Sequence, residues 1–226
     1  MPRWTRALSL FAATATAWSQ PLAYPVVHPR GVVNAVSFRP APSVVAPGGI
    51  LRIEGFNLGP PEGIRASGTP LPVELGDPPI RVLVNGKAAP LFAAYPDRIL
   101  AQVPWDTQPG MATVVVRRGE AASRPARVLV NRVAPALRTM NERGYGEVAG
   151  TIAANVLHAR ATGLGPTEPA VRDGDPGPAE PPARPRELIR AFVAGLPANV
   201  RAVLSPERVG EFDLRIELPP GTRPGD

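Results

Sequence analysis

Cysteine is absent from all 226 residues, which excludes disulfides, thiolate metal ligands and a cysteine nucleophile in one step. Histidine is nearly absent: His28 and His158 are the two in the chain, far apart in sequence. A lone imidazole on a strand reads as a structural side chain rather than a base or a metal ligand. Aromatic residues make up 5%, so the cores must be built mostly from Val, Leu, Ile and Ala. Lys87 is the single lysine among 25 basic residues. Beyond the N-terminus no apolar run reaches the roughly 18 residues needed to span a bilayer. No long amphipathic helical pattern is present either.

Proline (31) and glycine (22) are abundant, which argues against a helical protein and for many short strands joined by turns, with some disorder. The formal charge is +6; without Arg3 and Arg6, which fall in a removable leader, it is about +4. Nearly all the positive charge is arginine in an Ala-, Pro- and Gly-rich chain. That composition follows from GC-rich coding, so the basic balance is not read as a nucleic-acid footprint, and no nucleic-acid partner is expected.

Met1 to Ser19 reads as a secretory signal, with Arg3 and Arg6 before the short apolar stretch Ala7 to Ala17. Cleavage is expected after Ala17 or Ser19. Residues 20–30 form an extended lead-in, and 31–133 a first β-sandwich unit. Its central stretch runs from Val32 to Pro60, where Leu51 and Ile53 alternate with Arg52 and Glu54 between Pro47-Gly48-Gly49 and Gly55-Phe56-Asn57-Leu58-Gly59-Pro60. Asn85-Gly86 is the strongest hairpin signal, since both residues tolerate the positive φ of a type I′ turn. Strands recur every eight to twelve residues or so, as in a sandwich. They are expected at Ile80 to Val84, Ala88 to Tyr95, Ile99 to Val103, Met111 to Arg117 and through Val130.

Residues 134–226 form a second unit, with strands expected at Val156 to Thr162, Leu188 to Val193, Asn199 to Leu204 and Glu211 to Leu218. The stretch 166–185 is mostly Pro, Gly, Asp and Glu and reads as a mobile loop, in which Gly174→Val should change almost nothing. The two units repeat each other. Phe56-Asn57-Leu58-Gly59-Pro60 answers Thr162-Gly163-Leu164-Gly165-Pro166, and Val84-Asn85-Gly86 answers Val193-Ala194-Gly195. Gln102-Val103-Pro104 with Pro109-Gly110 answers Glu217-Leu218-Pro219 with Pro224-Gly225. The first unit continues past that point with a further hairpin, for which the second has no counterpart. The second unit is therefore expected to be the less stable, with an open edge at Glu211 to Leu218 that could pair with a partner chain.

The pieces VVNAVSF, PGGILRIEGFNLGP, VNGKAAPLF, AQVPWD, ATGLGP and LPPGTRPGD, in that order, resemble one family. It is the uncharacterised C-terminal domain repeated across exported proteins of Solibacter-type acidobacteria. Its first half is similar to the IPT/TIG immunoglobulin-like fold. The likeness runs from about Gly31 to Asp226, with a shorter segment before His158 and no final hairpin. It implies an exported, non-catalytic module of two immunoglobulin-like units, and brings no catalytic residues with it.

No constellation for chemistry emerges from the residues themselves. No serine stands in a G-x-S-x-G elbow. Asp173-Gly174-Asp175 lacks the further oxygen ligands of a Ca²⁺ loop, and Asp97 and Asp106 sit where turns account for them. Catalytic, cofactor and metal sites are thus expected to be absent. Tyr95 and Trp105, beside turns, are the candidate ligand contacts, since aromatics there can stack on sugars or anchor an interface. The alternative for Trp105 is that it covers the sandwich end or packs at the domain junction. The function expected is an exported interaction or adhesion module, with an accessory carbohydrate-binding module as the alternative. Its partners are an extracellular protein or polysaccharide, with no stable membrane span once the signal is removed.

Overall fold

The computed structural model describes residues 24–38 and 43–222. The signal sequence expected over 1–19 lies outside the described residues, as does the chain end at 223–226. Everything described is β-strand, turn or irregular backbone, with no helix among these residues.

The first unit contains β1 (Val26–Asn34), β2 (Val44–Val45), β3 (Ile50–Phe56), β4 (Ile64–Arg65), β5 (Ile80–Val84) and β6 (Lys87–Ala88). It continues through β7 (Leu91–Ala94), β8 (Arg98–Gln102), β9 (Gly110–Arg118), β10 (Ala121–Ala122) and β11 (Ala126–Val130). One sheet runs β1-β3-β8-β7-β4 and the other β2-β11-β9-β5-β6, with β10 folded back on β9. The pairing is antiparallel except between β11 and the short β2. Alternation along each strand decides what goes inside: Leu51 and Ile53 are buried, while Arg52 and Glu54 point out and pair at 2.9 Å. Val82, Val84, Ile99, Ala101, Val114 and Val116 meet them from both sheets. The result is sandwich-like. The Asn85-Gly86 turn has the expected positive φ at both residues, 49° and 85°. The lead-in proves to be partly sheet: β1 begins at Val26, pairing Val26 with Phe56 and Val27 with Gly55.

The second unit contains β12 (Ala136–Leu137), β13 (Gly150–Ala153), β14 (Val156–Thr162), β15 (Thr167–Glu168) and β16 (Arg184–Pro185). β17 (Ala191–Val193), β18 (Leu196–Ala198), β19 (Val200–Leu204) and β20 (Glu211–Glu217) complete it. Its one extended sheet runs β12-β14-β20-β19, with β13 also on β14. The order β14-β20-β19 repeats β3-β8-β7, so the sequence repeat is a repeat of sheet order. Opposite that sheet stands only the hairpin β17–β18, whose Ala194-Gly195 turn (φ 50° and 79°) copies Asn85-Gly86. Among the described residues no strand answers β9 or β11. Seven buried residues form the second core against twenty-one in the first, so it has far less apolar burial to hold it.

Two expectations change here. The strand at Glu211 to Leu218 has no open edge: β20 is paired throughout, with β14 on one side and β19 on the other. The outer strand is β19, and Leu204 there already donates its N–H to Ala183 O at 2.8 Å. The stretch 166–185 is tied down rather than loose. β15 and β16 pair within it, Gly177 N–H reaches Ser205 O at 2.8 Å, and Ala183 is fully buried. Its proline and glycine content fits an irregular path as well as a mobile one; the hydrogen bonds decide between them.

Candidate functional site

The second unit leans on the first through Trp105, which follows β8 and packs against the second core. Gly48 lies flat on the indole, where an added Cβ would stand 2.0 Å from Cζ3. A further close approach, Gly210 to Gly48, where an added Cβ would stand 2.9 Å from Gly48 O, brings the backbones of the units together where a side chain would hold them apart. The 166–185 stretch supplies the polar half of the junction. Trp105 N–H donates to Asp173 Oδ1 at 2.7 Å, and Lys87 Nζ stands 2.6 Å from Asp173 Oδ2 and 2.8 Å from Asp106 Oδ1. Fully buried Gln102 accepts the Gly174 N–H at 2.7 Å, while Gly174 O accepts Leu71 N–H at 2.8 Å. Burial pulls the Lys87 ammonium down, but hydrogen bonds and charge from Asp106 and Asp173 outweigh it and raise its pKa above 10.5.

Trp105 packs between Gly48 and the second core, so the Gly48 side of its indole is already covered. Its Nε1 is buried without a hydrogen-bond partner. Tyr95 sits elsewhere, half-buried in the turn between β7 and β8. Its N–H donates to Arg98 O at 2.8 Å. The Arg98 guanidinium lies 4.3 Å from the ring centroid and that of Arg65 5.6 Å, while Gly63 packs against the ring edge at Cδ1 and Cε1. The tyrosine thus serves as a platform for arginine before it could serve one for a sugar.

Tyr95 borders a cleft of about 650 Å³ to which both units contribute. Arg52, Phe92 and Leu100 on the outer face of the first sheet form one wall; Arg138, Arg208 and Glu211 of the second unit form the other. Glu211 is largely buried and holds Arg138 in a two-pronged pair, with Arg160 3.5 Å away. Arg65 and Arg208 make no ion pair among the described residues, and neither do Glu142 and Glu207 of the same lining, so the cleft presents free charge of both signs. A second cleft, about 1340 Å³, lies on the outer face of the β14–β20–β19 sheet and is lined by His158, Arg160, Arg201 and Arg215.

The remaining candidates have other occupations. His28 meets Phe56 edge-on at 4.8 Å between centroids, and Asp97 receives both of its bonds from Arg98 at 3.1 Å. Among the described residues no three His, Cys, Asp or Glu side chains gather into a metal-binding group. Sequence reasoning passed over Asp173 as a solvated loop residue and did not pick out Lys87 or Gln102 as contacts. One signal was available: a lone lysine in an arginine-rich chain.

No protein-family profile matches the sequence, and no curated protein matches it. Among solved structures the chain is similar to a candidate phosphatase from Bacteroides thetaiotaomicron, at 14% identity over 72% of the chain, with a TM-score of 0.26. The match spans only 39% of that protein's length, and a likeness this slight carries no argument about activity.

Proposed function

We propose that the chain is an exported, non-catalytic interaction or adhesion module built from two tandem immunoglobulin-like units. Support for the tandem comes from the shared strand order of the two larger sheets and from the matching turns at Asn85-Gly86 and Ala194-Gly195. Support for a binding role comes from how the charged residues are spent: on the junction, on Tyr95, and on two clefts that keep unpaired charge. The observation that carries the reading is the two-unit cleft beside Tyr95, where Arg65 and Arg208 stand unpaired, in the company of Glu142 and Glu207, along a wall that includes Phe92. Arg65 and Arg208 there suit an acidic segment of an extracellular protein, because guanidinium groups grip carboxylates in a two-pronged geometry.

Two measurements test this. Expressed in a bacterial host, the mature chain should begin at Trp18 or Gln20 and be absent from the cytosol; an intact Met1 on cytosolic protein contradicts export. Against immobilised acidic, neutral and basic peptides, the full chain should retain the acidic set, and lose it when Arg65→Ala and Arg208→Ala are combined. Equal retention of all three sets contradicts the cleft. The carbohydrate alternative draws support from the arginine face of the second sheet.

A further inference from the structure

The outer face of the second-unit sheet carries a row of bases that the fold leaves unpartnered. Arg201 of β19 lies directly opposite Arg215 of β20, and Arg215 directly opposite His158 of β14. Their neighbours Ala202, Leu214 and Leu157 point into the core, so the row faces the other way, into the larger cleft. Both guanidinium groups are on exposed residues, and neither has an ion pair among the described residues. The nearby charges have other positions or partners. Arg160 turns to Glu211, Arg186 to Glu168 at 2.9 Å and Glu187 to Arg132 at 3.8 Å, while Asp213 lines the same cleft one row along, opposite Arg160 and Val203, without an ion pair of its own among the described residues.

Like charges directly opposed across an antiparallel pair destabilise a sheet. Nothing in the packing requires arginine at 201 or 215, because both point to solvent. The row makes physical sense when an anion bridges it. Neighbouring strands are about 4.8 Å apart, close to the advance of one sugar residue in an extended chain, so successive anionic groups can meet successive strands. The cleft walls hold no Phe, Tyr or Trp, so neither bases nor neutral sugar rings find a stacking platform. Recognition there has to be by charge.

We propose that this face binds an extended uronate-bearing polysaccharide, its carboxylates held across the strands by Arg215 and Arg201 with His158 beside them. The assignment rests on the exported reading above, since such polymers are met outside the cell.

Calorimetric titration of the full chain with polygalacturonate, dextran and oligo-dT oligomers tests it, alongside an Arg201→Ala, Arg215→Ala double variant. Polygalacturonate should bind in a salt-sensitive way and dextran should not. The double variant should lose about tenfold or more in affinity, with a melting temperature equal to or above the parent's because a repulsion is gone. The Arg65→Ala, Arg208→Ala variant should bind polygalacturonate as the parent does. No polygalacturonate binding by the parent, unchanged binding by the double variant, or oligo-dT bound as tightly overturns the assignment. Protein found outside the cell that ignores polygalacturonate defeats this inference alone; protein retained in the cytosol defeats the export reading.

Discussion

At the scale of single residues, Gly86 and Gly174 show how surroundings decide what a shared backbone feature means. Both have positive φ, 85° and 83°, so a β-branched side chain strains either by about 1–3 kcal/mol. Around Gly86 there is open space, whereas a Cβ on Gly174 would stand 2.8 Å from Leu71 O in the middle of the junction. Gly174→Val should therefore be the more damaging by chemical denaturation, the reverse of the ranking that loop composition implies. Equal losses would mean that the junction contacts do not hold in solution. Lys87 gives a pH signature at the same place. Its folded pKa is raised, so its contribution is complete below the unfolded value of about 10.4 and fades as pH rises through the folded one. Thermal melting across the alkaline range should show an extra loss in the parent that Lys87→Met lacks; parallel curves would remove the lysine from the account.

At the scale of elements, the strands with clear alternation were legible in the sequence. Val156 to Thr162 and Ile80 to Val84 stand where alternation puts them, and Asn85-Gly86 turns as its residue types require. β13 was not legible, because its turn is Ala154-Asn155, at φ 48° and 61°, with no glycine to mark it. Asn155 was the available sign, and its side chain is bonded to Leu218 O at 2.8 Å. Of the site, Tyr95 could be picked out by its place beside a turn, but its arginine neighbours could not: Arg65 comes from a different strand, and proximity across a sheet is not written locally. Asp173 was hidden for the same reason, since its partners lie in the other unit. The seven-residue core predicts an order of opening. Amides of β14, β19 and β20 should exchange before those of β3, β8 and β9. Equal protection across both sets would show that the smaller core is no weaker.

At the scale of the molecule, the second unit is a sheet with half a cover. Hairpin β17–β18, Ile189 and Val171 close part of its inner face, and Trp105 closes more from the first unit. In a chain that starts at Gln20, Trp105 is the single tryptophan, so indole emission reports on the junction directly. This dependence also explains how a short chain exposes so much charged sheet: the second unit's outer face need not be buried, because its inner face is finished by a neighbour. The most direct test is hydrogen exchange on the full chain carrying Trp105→Ala. Truncating a packed tryptophan costs about 3–5 kcal/mol, and that loss should fall on Val156–Thr162, Val200–Leu204 and Glu211–Glu217 while Ile50–Phe56 and Gly110–Arg118 stay protected. If the second-unit amides keep their parental protection, the first unit does not complete the second.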